Sequence, residues 1–462
     1  MKCNIELPTE VIEILNRLNN NGYEAYVIGG AIRDYYLSIT PHDFDVVTNA
    51  TFEEIKELFP NKDNEPVCFK TNAFFNTCLI VFDKGKSIEV TTYSSKDNLR
   101  DGKEIKISNS LLEDVESRDF TFNALAVDKD INLYDYLNGV EDLNNKTIRT
   151  PINPDLTFKS DPLRMLRYFR FLAKYKFNRN LEIEESIKNN ASSIKNIAVE
   201  RIEKEIREIL IYKPTIFNLL HETGILKYIF PDVDILFYVE QKNPHHYTDV
   251  GHHTMDCLKH SEEAYLDLSN EDKFLVNFAL LFHDTGKKQA KTTREGIDHF
   301  YGHPKYSKEI VDKNLKVLKI SKEESNIISN LVLYHDVTLT EKPRCFKKIL
   351  TTYNFDSKRL LNLFFKVREA DCIAHVNGNK SFISRKIIQD SILERFDSLS
   401  NKEFTVNDLK IDGEDIMQTL NIPPSKKIKE IKEKLFKEVL EGKTKNSKEE
   451  LLNRLKELYL FR

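Results

Sequence analysis

The sequence predicts an α+β fold: a small mixed α/β unit that ends near residue 150, followed by helices to the end of the chain. Three observations predict it. Short strand-like runs at 24–28, 43–47, 76–82 and 86–92 alternate with helix-periodic segments only in the first third of the chain. From residue 160 nearly every segment has helical spacing, including 161–175, 181–190, 199–212 and 215–221. The length of 462 residues exceeds one compact core and implies two to four domains.

The elements follow in order. Residues 9–20 space Val11, Ile12, Leu15 and Leu18 as a helix that stops at Gly22. The strand at 24–28 leads through Gly29 and Gly30 into a helix over 31–38. A strand at 43–47, a helix at 51–59 and strands at 76–82 and 86–92 complete the pattern. Residues 93–110 are rich in Lys, Asp and Ser and predict a loop. Pro231, Pro244, Pro304 and Pro343 punctuate the helical part. The Lys/Glu-rich stretch 424–448 reads as a solvated helix laced with i,i+4 ion pairs.

Composition narrows the function. Apolar residues at 40% and charged residues at 31% are ordinary for a soluble protein, and a net charge of −4 means that any RNA-binding surface is local. Cys3, Cys68, Cys78, Cys257, Cys345 and Cys372 are scattered without a CxxC, which argues against a zinc ribbon or disulfide framework. With neither a signal-peptide core nor an 18-residue apolar run, the expectation is a cytoplasmic protein with no membrane partner. Nothing points to an obligate protein partner.

The stretch "YVIGGAIRDYYLSITPHDFDVV", residues 26–47, carries chemistry. Asp43 and Asp45, two apart on a strand, share one face with Phe44 on the other. Paired carboxylates repel unless a cation lies between them, and Mg²⁺ favours carboxylates with water and phosphate oxygens. A bare Asp-x-Asp after Pro41 reads more often as a pair of turn aspartates. Here it follows a strand–Gly-Gly–helix unit, where Gly29 and Gly30 let a phosphate approach backbone N–H groups and Arg33 adds charge. That combination suits metal-assisted phosphoryl or nucleotidyl transfer, with Glu89 of "SIEVTTY" as a candidate third carboxylate.

"GGAIRDYYLSITPHDFDVVT" resembles the first motif of the class II tRNA nucleotidyltransferases, the CCA-adding enzymes of the DNA polymerase beta-like nucleotidyltransferase superfamily. "RDFTFNALA" is similar to their second motif, which implies that Arg118, Asp119 and Asn123 handle the nucleotide's ribose and phosphates. "SDPLRMLRYFRF" resembles the base-selecting motif and "VERIEKE" the helix-stabilising motif that follows it. The resemblance implies a polymerase-beta-like palm, Mg²⁺ on Asp43 and Asp45, and CTP, ATP and tRNA as partners. It also implies template-independent addition of CCA to tRNA 3′ ends with release of pyrophosphate.

Physical chemistry gives the base-selecting motif a mechanism. Asp161 before Pro162 reads as an N-cap, and Arg164 lies three residues on along one helix face. A carboxylate accepts from the amino group of cytosine or adenine while a guanidinium donates to the adjacent ring nitrogen. Guanine and uracil present the reverse order and leave both groups mispaired. Arg167 and Arg170, farther along, are expected to hold triphosphate. Two positions depart from the family pattern: Ser160 stands where Glu is usual, and Ser94 where Arg is usual, at the start of a shortened loop. In the family this loop helps the change from C to A addition, so CC-adding and poly(A)-adding readings stay open.

"HHTMDCLKH", "LLFHDTGK", "HFYGHPKYS", "LYHDVTL" and "READCIAHV" together resemble an HD-type metal phosphohydrolase domain. The resemblance implies a second divalent transition metal on His253, His283, Asp284 and Asp371, with His303 and His335 as second-metal or phosphate contacts. An HD hydrolase carrying a relic RNA-binding head is the competing reading; the intact Asp43/Asp45 and Asp161/Arg164 pairs argue against it. "IDGEDIMQTLNIPPSKKIKEIKEKLFKEVLEG" resembles the family's tail, with Lys426 and Lys427 at a helix start suited to tRNA phosphates. The expected domains are a nucleotidyltransferase head over 1–150, a helical neck over 151–235, an HD-type domain over 236–400 and an RNA-binding tail over 401–462.

Overall fold

The computed structural model describes residues 2–62, 65–72, 77–95, 106–242, 248–376, 378–400, 406, 409–440 and 443–459. It divides into two compact units, Met1–Asp234 and Ile235–Arg462. Most of the loop expected at 93–110 falls outside the described residues.

The first unit begins with helix α1 (Thr9–Asn20), whose buried stripe is Val11, Ile14, Leu15 and Leu18. Ile12, expected in that stripe, faces solvent. A seven-stranded sheet follows, in the order β3-β4-β5-β2-β1-β6-β7. Its strands are β1 (Ala25–Ile28), β2 (Asp45–Thr48), β3 (Val67–Asn72), β4 (Thr77–Val81), β5 (Ser87–Thr92), β6 (Ala126–Val127) and β7 (Leu133–Tyr134). The β2–β5 pair is parallel and the other pairs are antiparallel.

Two details of this sheet correct the sequence reading, the start of β2 and the presence of three further strands. β2 starts at Asp45, so Asp43 lies in the extended segment before it. The alternation survives, with Phe44 buried between exposed Asp43 and Asp45. β3, β6 and β7 were not expected from the apolar pattern. The register Ile28↔Asp45 puts the end of β1, where the Gly-Gly turn begins, beside the first residue of β2.

Helix α2 (Gly30–Tyr36) leaves the turn and α3 (Phe52–Leu58) starts with a capping box between Thr51 and Glu54. Helix α4 (Leu111–Glu116) lies between β5 and β6, and α5 (Gly139–Asn145), α6 (Pro154–Ser160), α7 (Leu163–Tyr175) and α8 (Leu181–Asn190) come after β7. They are followed by α9 (Val199–Tyr212), which packs on α7. Phe120, Phe122, Phe171 and Phe177 form one aromatic cluster with ring centroids 5.0–5.5 Å apart. It fastens α7 to the segment after α4 through apolar burial and edge-on ring contacts.

The second unit is helical, built around Val250–Ala264, Asn270–Phe282, His303–Val317, Lys322–Tyr334 and Lys358–Ile373. It also holds a hairpin, β8 (Thr292–Arg294) and β9 (Ile297–His299), against the expectation of helices alone. Glu295 and Gly296, both at positive φ, make the two-residue turn that such a hairpin needs. Helices Gly413–Leu420, Lys426–Leu440 and Lys448–Tyr459 share a small core of Ile416, Ile431, Leu435, Leu451 and Leu455. Among the described residues, no helix is long and apolar enough to cross a membrane.

Candidate active site

A cleft of about 490 Å³ in the first unit gathers most of the residues singled out from the sequence. Asp45 on β2 and Glu89 on β5 line it, together with Thr77 and Thr91. The period of two selects this set, since the β2–β5 register pairs Val46↔Val90 and Val47↔Thr91. Asp45 is open to the solvent in the cleft yet enclosed by protein on its other sides. Burial raises its pKa, Arg118 pulls it down, and Asp43 pushes it up again. Glu89 is raised by burial and then by Asp45. Carboxylates close enough that Asp43 raises Asp45 and Asp45 raises Glu89 are a donor set suited to a divalent cation, so these residues fit Mg²⁺. Asp43 is exposed and acts on Asp45 from the cleft's margin.

Gly29 caps α2 at φ 79°, in the left-handed region that favours glycine. A side chain here would also stand 3.5 Å from the guanidinium of Arg118. Asp114 holds that guanidinium at 3.0 and 3.2 Å and accepts from the Ser94 N–H at 3.0 Å. That bond uses the Ser94 backbone N–H, which an arginine at this position would supply equally.

The second motif proves to be a continuous chain of bonds. Arg33 Nη2 lies 2.7 Å from Asp34, and its Nη1 donates to Asn123 Oδ1 at 2.9 Å. Asn123 Nδ2 donates to Asp119 at 3.0 and 3.2 Å, and Arg167 Nη2 meets Asp119 at 2.8 Å. Burial raises the Asp119 pKa, but Arg167 and Asn123 outweigh it and hold the carboxylate below its usual range. Arg167, expected at the phosphates, is thus tied into the cleft wall.

The base-selecting helix α7 begins at Leu163, so Asp161 precedes it. Its carboxylate accepts from the Leu163 N–H at 3.2 Å, the bond expected of a cap. Asp161 is buried and bound by Arg201 of α9, Nη2–Oδ2 2.8 Å. Arg164 donates to the Ser117 carbonyl at 2.5 Å and to Ser160 Oγ at 2.9 Å. Ser160, the departure from the family pattern, thus shares the orientation of Arg164 with the Ser117 and Thr157 carbonyls. Asp161, Arg164, Arg167 and Arg201 all line the cleft. Arg170 does not: it meets Glu205 at 2.5 Å and lies over the Phe171 ring, so the triphosphate role expected of it has no support in its placement. Sequence reasoning missed Arg201, Asp114 and Ser117. Arg201 lies within the quoted "VERIEKE", the one signal that pointed to it.

The second unit buries the other constellation. His253 Nε2 is 3.1 Å from Asp371 Oδ1, and His283 Nε2 is 3.3 Å from Asp284 Oδ2. The expected set lies together, with Asp284 Oδ2 also 3.7 Å from His253 Nε2, and the candidate donor atoms fall into two adjoining groups. His253, Cys257, His283 and Asp371 form one; Asp284, His303 and His335 form the other. Cys257 and Lys287 were missed, and Lys287 Nζ lies 2.7 Å from Asp284 Oδ2. His283, His303 and His335 each turn Nδ1 to a backbone carbonyl, which leaves Nε2 facing the cluster. Histidine nitrogens oriented in this way, among buried carboxylates, fit a divalent metal. Lys426 and Lys427 are exposed at the start of the helix Lys426–Leu440, in this same unit.

Three family models match the chain: "Poly A polymerase head domain" over residues 25–149, "Probable RNA and SrmB-binding site of polymerase A" over 177–236, and tRNA nucleotidyltransferase domain 2 over 289–455. A CC-adding tRNA nucleotidyltransferase of Halalkalibacterium halodurans is 39% identical over 220 residues, 47% of this chain and 53% of that protein. The chain thus spans about half the length of this relative. A CCA-adding enzyme of Ligilactobacillus salivarius is 28% identical over 461 residues, 97% of this chain and 96% of that protein. Among solved structures, the Bacillus stearothermophilus CCA-adding enzyme in complex with CTP shares the fold, with a TM-score of 0.64 at 22% identity, covering 98% of both chains. The motif order, the cleft built on it and these matches agree: the chain is similar over nearly its whole length to class II CCA-adding tRNA nucleotidyltransferases, with a matching head model and a matching tRNA nucleotidyltransferase domain 2 model in the same order.

Proposed function

We propose that this protein adds C, C and A to tRNA 3′ ends from CTP and ATP, without a nucleic-acid template and with release of pyrophosphate. The observation that carries this reading is the single cleft that combines Asp45 and Glu89 with Arg118, Asp119, Asn123, Asp161 and Arg164. The tRNA 3′-hydroxyl attacks the nucleotide's α-phosphate and pyrophosphate departs. Mg²⁺ on Asp45, Asp43 and Glu89 would supply charge neutralisation at the transferring phosphate.

The chain's own residues do the rest. Arg118, held by Asp114, presents a cation beside the Gly-Gly turn, where the triphosphate is expected. Asp161 accepts from the base amino group and Arg164 donates to the ring nitrogen, so C and A fit and G and U do not. Lys426 and Lys427 bind tRNA phosphates, a contact to shape and charge over sequence.

A second reading, CC addition alone, is favoured by the Halalkalibacterium halodurans relative and by Ser94 at the loop entrance. One experiment separates the two. Transcripts of tRNA lacking CCA, CA or A are incubated with Mg²⁺ and labelled CTP and ATP, and products are resolved at single-nucleotide length. CCA addition extends all three to the same end. A product that stops after the second C supports the second reading, and a run of A overturns both.

A further inference from the structure

The buried cluster of the second unit has a feature that the HD resemblance does not supply. Cys257 lies one helical turn after His253 and on the same face, within the helix Val250–Ala264. Its Sγ is 3.6 Å from His253 Nε2, which is 3.1 Å from Asp371 Oδ1. His283 Nε2 is 3.7 Å from the same Asp371 oxygen. The four donor atoms all lie within 4.8 Å of one another. Zinc bonded to nitrogen, oxygen and sulfur at ligand distances near 2.0–2.3 Å gives tetrahedral edges of about 3.3–3.7 Å. The observed separations bracket that range.

Two further observations point to a ligand. His283 is fully buried and its Nδ1–H donates to the Leu280 carbonyl at 2.6 Å, which leaves Nε2 as the inward-facing nitrogen. That Nε2 makes no hydrogen bond although carboxylate oxygens stand 3.3 and 3.7 Å away. A buried nitrogen in that condition is costly unless a cation lies where its lone pair points. Asp284, the acidic residue of the HD pair, also brings Oδ2 to 3.3 Å from His283 Nε2 and 3.7 Å from His253 Nε2, but its charge is met by other partners. Its Oδ2 meets the Lys287 ammonium at 2.7 Å, and its Oδ1 faces His303 at 3.2 Å and His335 at 3.8 Å.

We propose that His253 Nε2, Cys257 Sγ, His283 Nε2 and Asp371 Oδ1 form a closed four-ligand Zn²⁺ site that holds the second unit together. The site differs from the HD-type set by a thiolate gained and Asp284 lost. With four protein ligands it has no open position for an activated water, so its role is structural. The inference does not rest on the nucleotide-adding reading, and its test does not use that activity.

The test is metal analysis of the full chain. Purified protein should retain about one zinc per chain after dialysis. Its Co²⁺-substituted form should show the near-ultraviolet thiolate-to-cobalt charge-transfer band, a readout that needs no variant. Cys257→Ser should lose that band and weaken zinc binding by more than about a hundredfold, beyond the usual effect of an outer-shell change. Asp284→Ala should keep both the zinc and the band. Three results overturn the proposal: a wild-type chain that holds no zinc, a cobalt form without the thiolate band, or loss of metal in Asp284→Ala with retention in Cys257→Ser.

Discussion

Arg201 grips Asp161 in the head cleft, with Nη2 2.8 Å from Oδ2 and Nη1 3.5 Å from Oδ1. The carboxylate assigned to read the base is thus oriented from a second helix, α9, as well as by the Leu163 N–H at the start of its own. Arg201→Ala removes this counter-charge from a buried carboxylate. A charged hydrogen bond is worth about 1.5–3 kcal/mol, so addition of both C and A should slow by about tenfold or more. Arg201→Lys should recover part of the loss. Steady-state rates with CTP and ATP check this, and wild-type rates in Arg201→Ala would remove Arg201 from the site.

Asp45 should matter in opposite directions for activity and stability. Asp45→Asn should lower nucleotide addition by orders of magnitude, because charge stabilisation at phosphorus is the main catalytic term. The same change should raise the thermal midpoint of the metal-free protein at neutral pH. Burial holds the Asp45 pKa above its unfolded value, so the ionised carboxylate costs stability. That cost is full above the folded pKa and vanishes below the unfolded one. The gain from Asn should therefore shrink as the pH falls through the carboxylate range. Thermal unfolding of both proteins in chelator across that range measures it; a midpoint lowered by Asn at neutral pH contradicts the account.

Asn123 is the neutral link in the chain from Asp34 through Arg33 to Asp119 and Arg167. Asn123→Ala breaks bonds to two buried charged groups at once. The expected loss is about 3 kcal/mol by urea denaturation, from charged hydrogen bonds worth about 1.5–3 kcal/mol each. Nucleotide KM should rise as Arg33 and Asp119 lose their alignment. An unchanged denaturation midpoint would mean that solvent replaces Asn123 without cost.

Much of the head was legible in the sequence because its signals are local. The Gly-Gly turn, the alternating Asp43-Phe44-Asp45 and the apolar stripe of α1 each follow from spacing alone. β3, with its sequence VCFKTN, has polar Lys70, Thr71 and Asn72 at one end, so its apolar pattern is too short to read. β6 and β7 have two residues each and exist only because β1 and each other supply partners. Arg201, Asp114 and Cys257 gain their roles from neighbours that tertiary structure supplies, apart from the turn-spacing of His253 and Cys257. Arg170 shows the converse: helical periodicity placed it on the arginine face, and Glu205 on α9 claims it.

On the proposed function, protein side chains stand in for a template, and the direct measurement is single-nucleotide addition with all four triphosphates by Arg164→Ala and Arg167→Ala. Arg164→Ala should lose selectivity for C and A over G and U by about ten- to hundredfold, the worth of one charged hydrogen bond. Arg167→Ala, which loosens the Asp119 wall that every nucleotide meets, should weaken all four about equally. If Arg164→Ala slows all four in parallel while Arg167→Ala changes base choice, the protein-template assignment along α7 is contradicted.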